Sequence, residues 1–413
     1  MPPSRARDVL IKCVIAAFAL ACTVVVAEGA LRLALPRSHR FLVQLPHLRE
    51  VLRPSSLYVR GVHDTARFET NSFGIRGPEF GPDAREYRIL AIGGSTTEGL
   101  LLDQARAWPA VLGDVLGTTR DGRKVWVGNI GKSGLTSRDH VAELKYFVPQ
   151  LPRMDLFVVL VGMNDLTSDL RQGFDWKQPP PITDSAEQWL RISHSFAAAP
   201  GPIWRPVTHA LLAEHAPWYK ATALWQLAAR VRFQVQHAGS EQDVTGRNLV
   251  AWRSHRRDTP RMYDSLPDLG PALADYRRTL NVLADEAARL KVPLVLVTQP
   301  AVWGPDLAAA TVRTLWMGGT DDFQDHPGES YFAVPALARA LDGYNRVVLD
   351  VCRDRGLTCV DLAAAMSRDT SLFYDDAHFD EAGARRAADV VAAALVRADP
   401  ALRPLDAVHD RAR

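Results

Sequence analysis

Ser95 stands where an apolar run gives way to a helix-patterned segment: Arg88-Ile89-Leu90-Ala91-Ile92 precedes Gly93-Gly94-Ser95-Thr96-Thr97-Glu98-Gly99, and helical spacing follows as far as Trp108. At a junction of that kind the backbone N–H groups of the first helical turn are unpaired and point at whatever lies over the serine. A developing oxyanion can be held there. The two glycines let the backbone pass close beneath it.

Three further stretches carry residue types suited to the same chemistry. Asn129-Ile130-Gly131-Lys132-Ser133-Gly134 follows the apolar Val125-Trp126-Val127. Gly162-Met163-Asn164-Asp165 ends the run from Leu156 to Val161, and Asp375-Asp376-Ala377-His378 precedes the final helix pattern. Each lies just after a strand or just before a helix. In an open parallel α/β sheet those strand ends form one edge, so four distant segments would converge on one crevice.

In these four blocks the chain resembles the SGNH hydrolases, also called the GDSL esterase and lipase family, of the membrane-anchored bacterial type. The blocks occur in the family's order: Gly94-Ser95, Ser133-Gly134, Gly162-Met163-Asn164-Asp165, then Asp375 and His378. The resemblance covers roughly residues 86 to 165 and 290 to 397, and Gly93-Gly94-Ser95-Thr96 replaces the family's Gly-Asp-Ser-Leu wording. It implies a serine nucleophile at Ser95, a base at His378 and an acid at Asp375. The α/β-hydrolase elbow fits less well, because Thr97 takes the last glycine of Gly-x-Ser-x-Gly.

The chemistry is consistent with those roles. A serine hydroxyl is a weak nucleophile until a base within hydrogen-bond reach takes its proton, and imidazole titrates near neutral pH. With Asp375 three residues before it on a tight turn, His378 can donate one ring nitrogen to the carboxylate and face Ser95 with the other. The N–H groups of Ser95 and Gly134 and the side-chain amide of Asn164 would hold the oxyanion. Asp406 and His409 repeat the acid-histidine spacing in the polar tail, after Pro404 and with no helix behind them.

The elements that must position these residues are legible as alternating strands and helices. Five strands are expected, at 88–92, 124–129, 156–161, 292–298 and 357–361. They predict a flavodoxin-like three-layer α/β/α sandwich with a five-stranded parallel sheet and a mostly helical insertion. Ser137 to Leu144 opens a helix after a capping residue, and Asp380 and Glu381 start the last one. The expected organisation is an N-terminal segment (1–37), an arm (38–85), a first core part (86–165), an insertion (166–275), a second core part (276–400) and a polar tail (401–413).

The N-terminal segment has Arg5, Arg7 and Lys12 before an uncharged run from Cys13 to Ala27. Helical residues rise about 1.5 Å each, so this run alone is shorter than a hydrocarbon core of about 30 Å. Apolar flanks at Val9 to Ile11 and Ala30 to Leu35 extend it, so an uncleaved inner-membrane anchor, with the rest of the chain outside the cytoplasm, and a cleaved secretion signal both remain open. In the arm, Thr70-Asn71-Ser72-Phe73-Gly74-Ile75-Arg76-Gly77 is similar to a segment found before the serine block of membrane-tethered SGNH proteins; as a local pattern it reads as a turn packed beneath the sheet.

The insertion holds six of the ten tryptophans, Trp176, Trp189, Trp204, Trp218, Trp225 and Trp252. Such rings either stack on sugars or are simply buried area. Helical patterning covers Trp218 to Phe233, and Pro179-Pro180-Pro181 marks a loop. Arg247, Arg253, Arg256, Arg257 and Arg261 read as a solvated face or as an attractor for an acidic polymer.

Net charge is +2. With no zinc-finger, P-loop or dinucleotide pattern, nucleic acid and nucleotide cofactors are not expected, and no His-Glu-x-x-His or clustered Cys/His spacing calls for a metal. Cys352 and Cys359, the only cysteines beyond the N-terminal run, are either a short-range disulfide or two buried thiols.

The expectation is therefore an extracytoplasmic serine esterase acting through an acyl-enzyme on short acyl esters, acetyl first, on a carbohydrate, with no cofactor. Two alternatives stay open: an O-acyltransferase that passes the acyl group to a polysaccharide hydroxyl, and a polysaccharide-binding protein that keeps the fold without turnover.

Overall fold

The structure, a computed structural model, describes residues 5–34, 42–44, 46–179, 219, 222–225, 227, 228, 231, 232 and 244–402. The chain divides into two units, residues 1–41 with 198–240 and residues 42–197 with 241–413.

In the first unit the N-terminal run is one helix, α1 (Arg5–Ala34), of 30 residues. At about 1.5 Å per residue that is about 45 Å, longer than a hydrocarbon core of about 30 Å. The apolar stretch alone, Arg7–Leu33, is 27 residues and none of it is buried. It outlasts the uncharged Cys13–Ala27 run because the charges at the far end are matched. Arg32 pairs with Glu28 one turn earlier at 2.6 Å. Glu28 also accepts from the backbone N–H groups of Ala223 and Leu224 at 2.9 and 3.1 Å.

The second unit holds the sheet. Its strands in chain order are β1 (Arg49–Leu52), β2 (Ala66–Glu69), β3 (Glu86–Gly93), β4 (Lys124–Asn129), β5 (Leu156–Leu160), β6 (Met262–Tyr263), β7 (Leu294–Val297), β8 (Tyr331–Phe332) and β9 (Thr358–Val360). The helices are α2 (Ser95–Glu98), α3 (Trp108–Leu116), α4 (Ser137–Ala142), α5 (Met163–Arg171), α6 (Val244–Arg257), α7 (Gly270–Arg289), α8 (Ala309–Val312), α9 (Val334–Arg355), α10 (Leu362–Ala365) and α11 (Glu381–Ala398).

The central sheet runs β4-β3-β5-β7-β9, all parallel. Counting only its own strands the order is 2-1-3-4-5, the flavodoxin-like arrangement. Parallel strands covered on both faces read as unbroken apolar runs, and Ile89 to Ile92 and Phe157 to Val159 are wholly buried. From β3 the chain first steps outward to β4, then crosses back to β5 and continues the other way. Right-handed crossovers therefore put α3 on one face and α4, α7 and α9 on the other. α11 returns to pack on α3, while α7 packs on both α4 and α9.

All five expected strands are present, with ends that differ by a residue or two. β3 starts two residues early, at Glu86, because its charges neutralise each other: buried Arg88 donates through Nε to Glu86 at 2.9 Å and also pairs with Asp83. The arm adds the antiparallel β1–β2 ribbon and buries Leu52, Val59, Phe68 and Ile75.

Trp189, Trp204, Trp218, Pro180, Pro181 and the tail pair Asp406 and His409 lie outside the described residues. At the end of α9, Gly356 takes a left-handed turn (φ 64°), and Cys352 and Cys359 are disulfide-bonded with Cα atoms 6.0 Å apart. Replacing both by alanine is expected to lower the unfolding free energy by roughly 2 to 3 kcal/mol, the chain-entropy value for so short a ring. Urea unfolding of oxidised wild type and variant checks this, and equal midpoints would contradict it.

Candidate active site

Ser95 is the first residue of α2, directly after β3, and so has no intrahelical acceptor for its N–H. One turn of helix cannot hold itself together, and its far end is held from outside. Buried Arg76 donates to the carbonyls of Glu98, Gly99 (2.9 Å) and Leu102 (2.7 Å), and Asn129 Nδ2 donates to the Thr97 carbonyl at 2.7 Å. Burial brings the Arg76 guanidinium down to about 10, so it stays charged at neutral pH.

The Thr70–Gly77 segment explains how Arg76 arrives there. Asn71 Oδ1 accepts from the N–H groups of Phe73 and Ile75 at 2.9 and 3.1 Å, which makes the turn. Arg76 then exchanges backbone hydrogen bonds with Asn129, the last residue of β4, at 3.0 and 2.9 Å. Glu98, buried and with its carboxyl pushed up by that burial, accepts from the backbone N–H of Ser133 at 2.9 Å and from the Ser133 hydroxyl at 2.5 Å. The serine turn and the Gly131–Gly134 loop are thereby fastened together. Sequence reasoning marked the Arg76 segment as a turn and missed the arginine as its working residue.

Asp375 and His378, the expected acid and base, lie in the turn before α11. Tyr374 N–H donates to the His378 carbonyl at 3.1 Å, and Asp380 caps α11 by accepting from Gly383 at 2.8 Å. Within that turn His378 Nδ1–H donates to both oxygens of Asp375 at 2.9 and 2.8 Å. Its Nε2 accepts from the Ser95 hydroxyl at 2.7 Å. Asp375 is fully buried and also accepts from Trp316 Nε1 at 2.9 Å, from Ala377 N–H at 3.1 Å and from His378 N–H at 2.9 Å. The rings of Tyr374 and Trp316 lie within 8° and 6° of parallel to the imidazole.

Charge and burial oppose each other here. Burial favours neutral His378, but the charge of Asp375 and its hydrogen bond outweigh that and raise the imidazole above its ordinary value. Burial likewise pushes Asp375 up, and attraction to His378 with the converging N–H donors brings it below the usual carboxylate range.

Asn164 occupies the first turn of α5, after Gly162 at φ 125°. One of its amide hydrogens goes to the Leu135 carbonyl at 2.7 Å, which leaves the second available. A Cβ on Gly94 would lie 2.2 Å from Asn164 Nδ2, so only glycine lets the amide approach the serine turn. Asp165 fixes the other wall by accepting from Ser137 N–H at 3.0 Å and from the Ser137 hydroxyl at 2.5 Å. Burial raises its carboxyl to about 6. The loop so held carries Gly134 at φ 81°. Ser95, Gly134, Asn164, Asp375 and His378 all line one cleft of about 640 Å³.

The basic cluster divides differently from either expectation. Arg253 donates to the carbonyls of Thr314, Tyr58 and Tyr374 at 2.9, 2.9 and 3.1 Å. Buried Arg256 donates to Met317 and Phe332 at 2.8 and 2.9 Å. These two are tethers between α6 and the loops around Trp316 and the acid-base turn, not a solvated face. Arg257 pairs with exposed Asp258 at 2.9 Å, and Arg261 lies over the Tyr263 ring. Of the described insertion tryptophans, Trp176 donates to Asp169 at 2.7 Å, Trp225 is exposed in the first unit, and Trp252 lines the cleft 4.6 Å from Trp316, centre to centre. Among the described residues no group of histidine, cysteine, aspartate and glutamate is placed to hold a metal.

No family model matches the chain, and no curated protein matches it at a significant level. Solved structures similar to it include an α/β hydrolase, LAE5, from the metagenome of Lake Arreo, at 16% identity over 77% of this chain and 97% of the other with a TM-score of 0.38. An acetylxylan esterase from Geobacillus stearothermophilus has 17% identity over 75% and 94%, with a TM-score of 0.36. A member of the lipolytic G-D-S-L family from Veillonella parvula has 10% identity over 75% and 99%, with a TM-score of 0.37. At such identities and TM-scores the chemistry has to be read from this chain's own side chains.

Since His378 must be unprotonated to accept the Ser95 proton, kcat/KM for p-nitrophenyl acetate is expected to fall as pH drops, with a midpoint above the ordinary histidine value of about 6.5. Asp375→Asn removes the charge that raises the imidazole, so the midpoint moves down while the rate falls. A wild-type midpoint below the ordinary value would contradict the charge balance described.

Proposed function

We propose that the chain is a membrane-anchored, extracytoplasmic serine esterase of SGNH type that removes short acyl groups, acetyl first, from carbohydrate. The observation that carries the proposal is the continuous relay from buried Asp375 through His378 to the Ser95 hydroxyl, with its 2.7 Å final link. In the first step Ser95 Oγ bonds to the ester carbonyl carbon as His378 Nε2 takes its proton. The carbonyl oxygen becomes an oxyanion held by the N–H groups of Ser95 and Gly134 and by the free amide hydrogen of Asn164. Collapse breaks the bond to the alcohol, which leaves with the proton from His378. Water then repeats the sequence on the acyl-serine, His378 taking its proton, and the carboxylic acid departs as Ser95 regains its own.

Two features support the location. α1 is long and apolar enough to cross a bilayer, and the Cys352–Cys359 disulfide belongs to an oxidising compartment. The carbohydrate part rests on the cleft, where Trp252, packed on buried Trp316, lines the wall together with polar side chains of α5.

The test is a pair of rates, on p-nitrophenyl acetate and on p-nitrophenyl palmitate, followed by acetate release from an acetylated polysaccharide. Acetate preference with release from the polymer is expected. Palmitate preference with no release would overturn the carbohydrate assignment, and transfer of acetyl to an added glycan in place of release would make the protein an acyltransferase. Ser95→Ala is expected to abolish turnover, and Asn164→Ala to lower kcat by about 10² to 10³. A change confined to KM would place Asn164 in ground-state binding instead.

A further inference from the structure

The face of α5 that begins with Asn164 does not end there. Asn164, Thr167, Ser168 and Arg171 follow the i, i+3, i+4, i+7 pattern of one helix face, and all four line the cleft. Seven residues of helix rise about 10 Å, so Arg171 stands two turns along the cleft wall from the oxyanion donor. Thr167 and Ser168 lie between them on the same face and line the same cleft.

Arg171 is braced within the cleft. Its guanidinium lies over the Phe323 ring, 4.9 Å from the centroid, and donates to the Gln324 side chain. Its backbone carbonyl accepts from Asp321 at 2.7 Å. A guanidinium has five N–H donors, so a single bond to a neutral amide leaves most of its capacity unused. Among the described residues no carboxylate pairs with it. Two other charged residues lining the cleft have partners: Arg138 pairs with Asp275 at 3.2 Å, and Asp139 accepts from the backbone N–H and hydroxyl of Thr136, both at 2.9 Å.

We infer that Arg171 forms an anion subsite in this cleft, and that the sugar bearing the ester, or its neighbour in the chain, carries a carboxylate. A planar guanidinium braced by an aromatic ring matches a carboxylate with two parallel hydrogen bonds. Thr167 and Ser168 supply hydroxyls to the ring between, and Trp252 supplies an aromatic surface in the same cleft. The inference deepens the esterase proposal by naming the substrate's charge, and it rests on that proposal for the ester alone.

Two measurements separate the claims. First, kcat/KM is compared on acetylated oligogalacturonate and on acetylated xylo-oligosaccharide, for wild type, Arg171→Gln and Arg171→Lys. The acidic-to-neutral ratio is expected to fall at least about tenfold in Arg171→Gln, the usual scale for a charged hydrogen bond, and by less in Arg171→Lys. An unchanged ratio, or a wild-type preference for the neutral oligomer, would overturn the subsite while leaving the esterase intact. Second, calorimetry on Ser95→Ala with de-esterified oligogalacturonate reads binding without turnover. Binding that weakens with salt and is lost on adding Arg171→Gln supports the subsite even if no ester is cleaved. Binding that Arg171→Gln leaves in place, equal binding of a neutral xylo-oligosaccharide, or no binding overturns it. Inorganic phosphate competing as well as galacturonate would show a phosphate site instead of a sugar carboxylate site.

Discussion

Burying the Asp375 charge is the constraint on which the site depends. A carboxylate taken wholly out of water is costly unless its oxygens are met by donors, and here the imidazole, an indole and two backbone N–H groups meet them. Each donor imposes geometry. The two backbone groups fix the turn, the imidazole fixes the tautomer, and the indole requires that the loop bearing Trp316 lie against the turn. Neighbouring Asp376 tightens that loop further, accepting from Trp303 Nε1 and from the N–H groups of Trp316 and Met317 at 2.8, 2.8 and 3.3 Å. Two adjacent buried carboxylates repel, and burial with that repulsion raises Asp376 while Asp375 keeps its proton off.

The same logic extends outward to α6, whose arginines would be poor choices for a solvated face and are good ones for orphan carbonyls. Arg253 reaches the carbonyl of Tyr374 in the acid-base turn and that of Thr314 beside Trp316; Arg256 reaches that of Met317 on the other side. On the serine side Arg76 does the equivalent for the end of α2. Three guanidiniums thus hold the backbone segments that bring Ser95 and His378 within one hydrogen bond. A segment that looks peripheral in sequence becomes part of the support for the chemistry.

Much of the sheet was legible because parallel strands buried on both faces must be continuous apolar runs, and each of the five runs became a strand. Ser95, Gly134, Asn164, Asp375 and His378 were legible because strand ends in such a sheet share one edge, and the structure brings all five to one cleft. What stayed hidden was long-range. Arg76, Arg253 and Arg256 look like any surface arginine until the fold supplies their carbonyl partners, and no local pattern encodes these. Within α1, Glu28 ends the uncharged run, and its pairing with Arg32 accompanies the helix into the apolar flank expected beyond it. The start of β3 was hidden by Glu86, whose charge is cancelled by Arg88 inside the structure.

The most direct measurement is peptide mapping by mass spectrometry after treatment with a fluorophosphonate, which forms a bond only with a serine activated by its own base. The relay described here predicts a single adduct on the peptide containing Ser95, formed far more slowly in His378→Ala and equally fast in His409→Ala. An adduct on another residue, or a rate at Ser95 indifferent to loss of the His378 imidazole, would contradict it.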